Sequence, residues 1–168
     1  MNEEQEQTLY NCTKYDSEDF RRARREKTFP VFINNTDEKD QTIKVFNNSL
    51  SGLIYNLTSI TVSDVGVGEG YLSEKVADFI NGTCSNTNIT YYGMDKIEGF
   101  INSTKNKLSA LSYVDGHIIL GDCFSNDLDK LINNPTILIA SQVISYVRGK
   151  ELENFIEKLI SKKGFISI

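Results

Sequence analysis

The chain reads as an α/β protein: a mostly parallel sheet with helices packed on it. Three observations predict this. Short β-branched or apolar runs alternate with amphipathic stretches of helical length through the second two thirds of the sequence. Several of these runs end in an acidic residue or a small-residue turn. The first of them passes directly into glycines spaced by two, Gly66, Gly68 and Gly70. Strands joined by helical crossovers lie parallel, and such sheets bind ligands at the carboxyl ends of their strands, where strand order reverses.

In chain order, residues 1 to about 14 are a polar tail. A helix is predicted from Ser17 to about Ile33, where Ser17 supplies a cap, Glu18 and Asp19 favour the first turn, and Pro30 interrupts. Asn34 to Asp40 is a loop. Gln41 to Leu57 is helical, with Ile43, Phe46, Leu50, Leu53, Ile54 and Leu57 on one face. The first strand follows and ends at Asp64, and a helix begins near Leu72 after the glycine turn. Ile89–Asp95 is a second strand and Ile97–Leu111 a helix. Gly116–Leu120 is a third strand, Asn126–Ile132 a short helix and Thr136–Ala140 a fourth strand. Gly149–Ser161 is an amphipathic helix, and Phe165–Ile168 starts a fifth strand. The expected division is residues 1–57, a helical substrate-side segment, and residues 58–168, the sheet domain.

A length of 168 residues allows a full core, and 39% hydrophobic with 10% aromatic residues is a globular composition. No apolar run reaches the roughly 18 residues of a membrane span. Cys12, Cys84 and Cys123 are odd in number and far apart, which suits a reducing compartment, so a cytoplasmic protein is expected. The net charge of −5 argues against a nucleic-acid partner. The basic run Arg21-Arg22-Ala23-Arg24-Arg25 is read as a solvated helix face, with a phosphate- or acid-binding patch as the alternative. His/Cys clusters with metal-ligand spacing are missing, and no metal is expected. His117, the one histidine, is placed at the start of the third strand, away from the expected site, in a structural or solvent-exposed role.

The glycine stretch carries the chemistry. Glycine at alternate positions permits backbone angles closed to other residues and puts no Cβ between the main chain and a ligand. The next helix points its unpaired N–H groups into the same space. A purely structural turn would also use glycines. The spacing is not that of a dinucleotide fingerprint, since the sixth position is Tyr71, which disfavours a nicotinamide-dependent oxidoreductase. A Gly-Lys-Ser/Thr phosphate loop is missing too.

From Asp64 to Gly70 the chain resembles the class I S-adenosylmethionine-dependent methyltransferases, whose first motif is acid-x-Gly-x-Gly-x-Gly. The resemblance spans about residues 58–168 and implies a Rossmann-like sheet that binds S-adenosyl-L-methionine. It assigns cofactor contacts to Asp64, Gly66, Gly68 and Gly70. Asp95 becomes the acceptor for ribose hydroxyls, with Met94 and Ile97 as apolar neighbours of adenine or plain core. Asp122 and the Cys123 N–H meet the adenine edge beside Phe124. Ser141 and Gln142 belong to the segment lining the methionine portion. An exposed turn acid at Asp95 and a helix cap at Asp122 are the plain alternatives.

Acceptor-side candidates are Tyr15, Phe20 and Tyr146. Together with Lys14, Arg21, Arg22 and Ile144–Val147 they loosely resemble histamine N-methyltransferase, which implies a small amine acceptor. The Asp/Asn-Pro-Pro-Phe/Tyr tetrapeptide of amine-directed nucleic-acid methylases is missing. The family sheet has seven strands, and this sequence stops in its fifth. A fragment, or a short chain serving as a binding module without turnover, is therefore the alternative to a working enzyme.

Overall fold

The computed structural model describes residues 52, 54–84, 86–131, 134–140, 143, 149–162 and 165–167, and side chains as far as residue 162. Five strands form one sheet: β1 (Ser59–Val65), β2 (Asn88–Asp95), β3 (Val114–Leu120), β4 (Ile137–Ile139) and β5 (Phe165–Ser167). Their order is β3-β2-β1-β4-β5, and every neighbouring pair is parallel. The chain steps outward from β1 to β3, then returns to the other side of β1 for β4. Strand order thus reverses between β1 and β4, the place where such sheets bind ligands at the carboxyl ends of their strands.

Alternation along each strand divides the core in two. Ile60 and Val62 of β1, Ile89 and Tyr91 of β2, Ile118 of β3, and Ile137 and Ile139 of β4 face one side. There they meet Val76 and Ile80 of α1 (Tyr71–Thr83) and Ile101 and Leu108 of α2 (Glu98–Ser109). Ile54 is wholly buried in this cluster, and its carbonyl accepts from the Cys84 thiol at 2.9 Å. The opposite face gathers Val65, Met94 and Leu138 under Phe155 and Leu159 of α3 (Gly149–Ser161), with Leu128 and Leu131 from the β3–β4 connection.

The expected elements from residue 58 onward are present, with three adjustments. β3 starts at Val114, so His117 is its fourth residue and not its first; the imidazole is half exposed, stacks on Tyr92 with ring centroids 4.9 Å apart, and lies 3.1 Å from Asp115. The short helix after β3 is a 3₁₀ turn, Asn126–Lys130, capped by Ser125. β4 pairs only over Ile137–Ile139, because Thr136 turns its hydroxyl to accept from the Thr61 N–H at 3.2 Å. The helix expected over Ser17–Ile33 lies outside the described residues; of the one expected over Gln41–Leu57, residues 52 and 54 are helical and 55 and 56 form a turn, so it stops short of Leu57.

Candidate functional site

The glycine turn connects β1 to α1. Gly66, Gly68 and Gly70 have φ of 75°, 55° and 76°, all in the left-handed region that glycine enters without strain. Each has a different neighbour. A Cβ on Gly66 would lie 2.5 Å from Cγ2 of Val143, just past β4, and one on Gly70 would lie 2.8 Å from the Cα of Thr104 in α2. A Cβ on Gly68 would meet nothing within 4 Å among the described residues.

Long-range hydrogen bonds hold the turn. The Met94 carbonyl at the end of β2 accepts from the Gly66 and Val67 N–H groups at 2.8 and 3.0 Å. The Gly68 N–H donates to Oδ2 of Asp95 at 2.9 Å, while Oδ1 of Asp95 accepts from Ile97 N–H at 3.0 Å. From α2, the hydroxyls of Thr104 and Ser103 donate to the carbonyls of Gly68 and Glu69 at 3.0 and 3.1 Å. Among the described residues, the N–H of Glu69 has no acceptor.

Asp64 is turned inward. It is 2% exposed, and its Oδ2 accepts from Ser73 Oγ at 2.8 Å and from Tyr91 OH at 2.6 Å, tying β1 to the first turn of α1 and to β2. Burial raises its carboxyl to about 6, against the two hydroxyl bonds that lower it, and nearby Asp95 adds to the rise. The same burial, with Asp64 alongside, raises the Tyr91 phenol well above its usual value.

Asp95 is neither an exposed turn acid nor free: it is part-buried, and burial raises its carboxyl despite three backbone N–H partners and Lys96. Met94 is wholly buried in the core, where the plain-core alternative puts it, and serves the turn through its carbonyl. Ile97 is buried as well.

The turn after β3 is built locally. Oδ1 of Asp122 accepts from the Phe124 N–H at 3.0 Å, and the Asp122 carbonyl accepts from the Ser125 N–H and hydroxyl at 3.0 and 2.8 Å. Asp122 does not cap the following 3₁₀ turn, because Ser125 does so by accepting from the Asp127 N–H. Oδ2 of Asp122 has no partner among the described residues, and the N–H of Cys123 meets only its own thiol there. An acceptor and a donor thus stand side by side at the strand end. The Cys123 thiol is pushed up to about 12 by burial, then by Asp122 and Asp95, so it is a poor thiolate. A cavity of about 450 Å³ lies beside this turn, between Cys123 and Phe124 and the α3 residues Asn154, Phe155 and Lys158.

The strand register brings these groups together. Val65 pairs with Met94 and Asp95 with Leu120, so the glycine turn, Asp95 and Asp122 leave three adjacent strands at one level. Ser141, Gln142 and Tyr146, like Tyr15 and Phe20, lie outside the described residues. Sequence reasoning missed Tyr91, Ser73, Ser103, Thr104 and Gly93. A Cβ on Gly93 would strike Val67 Cγ1 at 2.6 Å and Ile118 Cδ1 at 2.7 Å. A glycine inside an aromatic strand was the one readable sign of that close approach.

No family model and no curated protein matches the sequence. A methyltransferase from Geobacter sulfurreducens, dependent on S-adenosylmethionine and solved with S-adenosyl-L-homocysteine, is 18% identical with a TM-score of 0.52, over 75% of this chain and 46% of its own. The chain has the fold of these methyltransferases. A Methanococcus maripaludis protein provisionally assigned as such an enzyme matches at 11% identity and TM-score 0.52, over 76% of this chain and 56% of that one. An rRNA methylase from Streptococcus thermophilus matches at 18% and 0.50, over 73% and 64%. The chain thus spans about half the length of the first two. None of the three is a histamine N-methyltransferase, so that narrower likeness gains no support.

Proposed function

We propose that this chain binds S-adenosyl-L-methionine across the ends of β1, β2 and β3 and directs its methyl group to a small-molecule acceptor. One observation carries the reading: the glycine turn, Asp95 and Asp122 emerge side by side from the carboxyl ends of β1, β2 and β3, with the glycine turn bordering the place where strand order reverses. The donor set fits a nucleoside. The unpaired Oδ2 of Asp122 and the N–H of Cys123 match the donor and acceptor on an adenine edge. Asp95 offers a part-buried carboxylate for ribose hydroxyls, and Gly68 has no side chain to obstruct a ligand. Asp64 supports the site from inside, by fixing the turn between β1 and α1.

The bound donor supplies an already activated methyl group, so the protein's work is to orient the acceptor and exclude water, which is worth roughly 7–11 kcal/mol. On the sequence resemblance, Ser141 and Gln142 are assigned to the donor's amino-acid end. The acceptor side is assigned to residues 1–57, with Tyr15 and Phe20, and to Tyr146. The net charge of −5 and the missing Asp/Asn-Pro-Pro-Phe/Tyr sequence favour a small molecule such as an amine over a nucleic acid. Incubation of the purified chain with methyl-labelled donor and separate pools of small amines and RNA tests this. Label in the amine pool supports the reading; label in RNA alone replaces the acceptor class, and a folded chain that binds no donor removes the reading altogether.

A further inference from the structure

The peptide between Gly68 and Glu69 has one end held and the other free. Its carbonyl accepts from the Thr104 hydroxyl at 3.0 Å, and Thr104 is wholly buried. Its N–H, on Glu69, has no acceptor among the described residues. A trans peptide is planar, with its C=O and N–H directed oppositely. Anchoring the carbonyl on α2 therefore aims the Glu69 N–H away from α2.

The other peptides of the turn differ. The Gly66 and Val67 N–H groups go to Met94, that of Gly68 goes to Asp95, and that of Gly70 goes to Val67. Glu69 alone within Gly66–Gly70 keeps a donor in reserve, next to Gly68, whose Cβ position is clear of the described residues. Ser103 holds the next carbonyl, that of Glu69, but the N–H across that peptide, on Gly70, is already bonded.

We infer that Thr104 is a positioning residue for the nucleoside site: it acts through the Gly68–Glu69 peptide to present the Glu69 N–H to a polar oxygen of the bound donor. The inference rests on the donor-binding reading above. It gives the two neighbouring hydroxyls of α2 unequal weight, Thr104 setting a ligand-facing donor and Ser103 bracing the backbone. The side chain of Glu69 plays no part.

The test is titration of S-adenosyl-L-homocysteine into the wild-type chain and into Thr104→Val, Thr104→Ser and Ser103→Ala. Calorimetry is followed alongside the Glu69 amide signal in nitrogen-15 spectra. Thr104→Val keeps the shape and loses the hydroxyl, so binding should weaken roughly tenfold. Thr104→Ser should restore it to within about twofold, and Ser103→Ala should stay within about twofold. The wild-type Glu69 amide should shift and become protected from exchange on binding, and in Thr104→Val it should not. This amide readout decides the matter even if Thr104→Val does not fold. Wild-type binding with no change at the Glu69 amide, or equal affinity in Thr104→Val, overturns the inference and leaves the donor site standing. A folded wild-type chain that binds no S-adenosyl-L-homocysteine overturns both.

Discussion

The two turns that follow β1 and β3 are built differently. The glycine turn after β1 is held by residues 27 to 36 positions away: Asp95 on the Gly68 N–H, Ser103 and Thr104 on its carbonyls, and Tyr91 on the acid that precedes it. The turn after β3 draws most of its bonds from within, spanning 2 to 5 residues among Asp122, Phe124, Ser125 and Asp127. It is tied to the rest by the Gly121 N–H on the Asp95 carbonyl at 2.9 Å and Lys158 Nζ on the Ser125 carbonyl at 3.3 Å. The first forms only when β2 and α2 are docked. The second is mostly local, with one tie to β2 and one to α3. One end of the candidate site therefore depends more on the global fold than the other.

The difference should be visible as a gradient of mutational effects. Gly70→Ala is the most severe, since it combines a φ of 76° with a Cβ 2.8 Å from the Cα of Thr104, an atom that cannot yield without moving α2. A loss of roughly 2–4 kcal/mol in urea unfolding is expected. A loss below about 1 kcal/mol would mean that α2 is not fixed against the turn.

Next is the pH response of Asp64. Its carboxyl titrates near 3.8 in an unfolded chain and near 6 in the fold. Between those values the folded state holds a proton that the unfolded state has released. Stability from this group is thus full below about pH 4 and lost as pH rises through about 6. At about 1.36 kcal/mol per pKa unit the loss is roughly 3 kcal/mol. The stability of wild type relative to Asp64→Asn should fall across that window in paired denaturations. A flat difference would contradict the buried geometry.

Tyr91→Phe removes one of the two hydroxyls on Asp64 and should cost about 1–3 kcal/mol by thermal or urea unfolding. Ser125→Ala, in the mostly local turn, loses the cap bond from the Asp127 N–H and the hydroxyl bond to the Asp122 carbonyl and should cost about 1 kcal/mol without altering the glycine turn's amide signals. If Ser125→Ala disturbed those signals, the turn after β3 would not be the more local of the two.

The same contrast explains what could be read from the sequence. The strands from residue 58 onward, their helices and the three strand-end groups were legible, because periodicity, glycine spacing and terminal acids are local patterns. Asp122 was legible as a turn acid since its partners stand within five residues. The inward orientation of Asp64 was not, because it depends on Tyr91, a residue of another strand that shares its face only through the β1–β2 register. Nor was Thr104, a hydroxyl midway along a helix whose pattern reveals only its buried face. His117 shifted within its strand because β3 starts with Val114 and Asp115, before the run that reads as apolar.

The most direct test of the donor site is calorimetric titration of S-adenosyl-L-homocysteine, with NAD as control, into the wild-type chain and Asp95→Ala. Saturable binding of the first ligand only, weakened at least about tenfold in the variant, is the predicted result. Equal binding to both chains, or competition by NAD, would contradict the placement of a nucleoside across the ends of β1, β2 and β3.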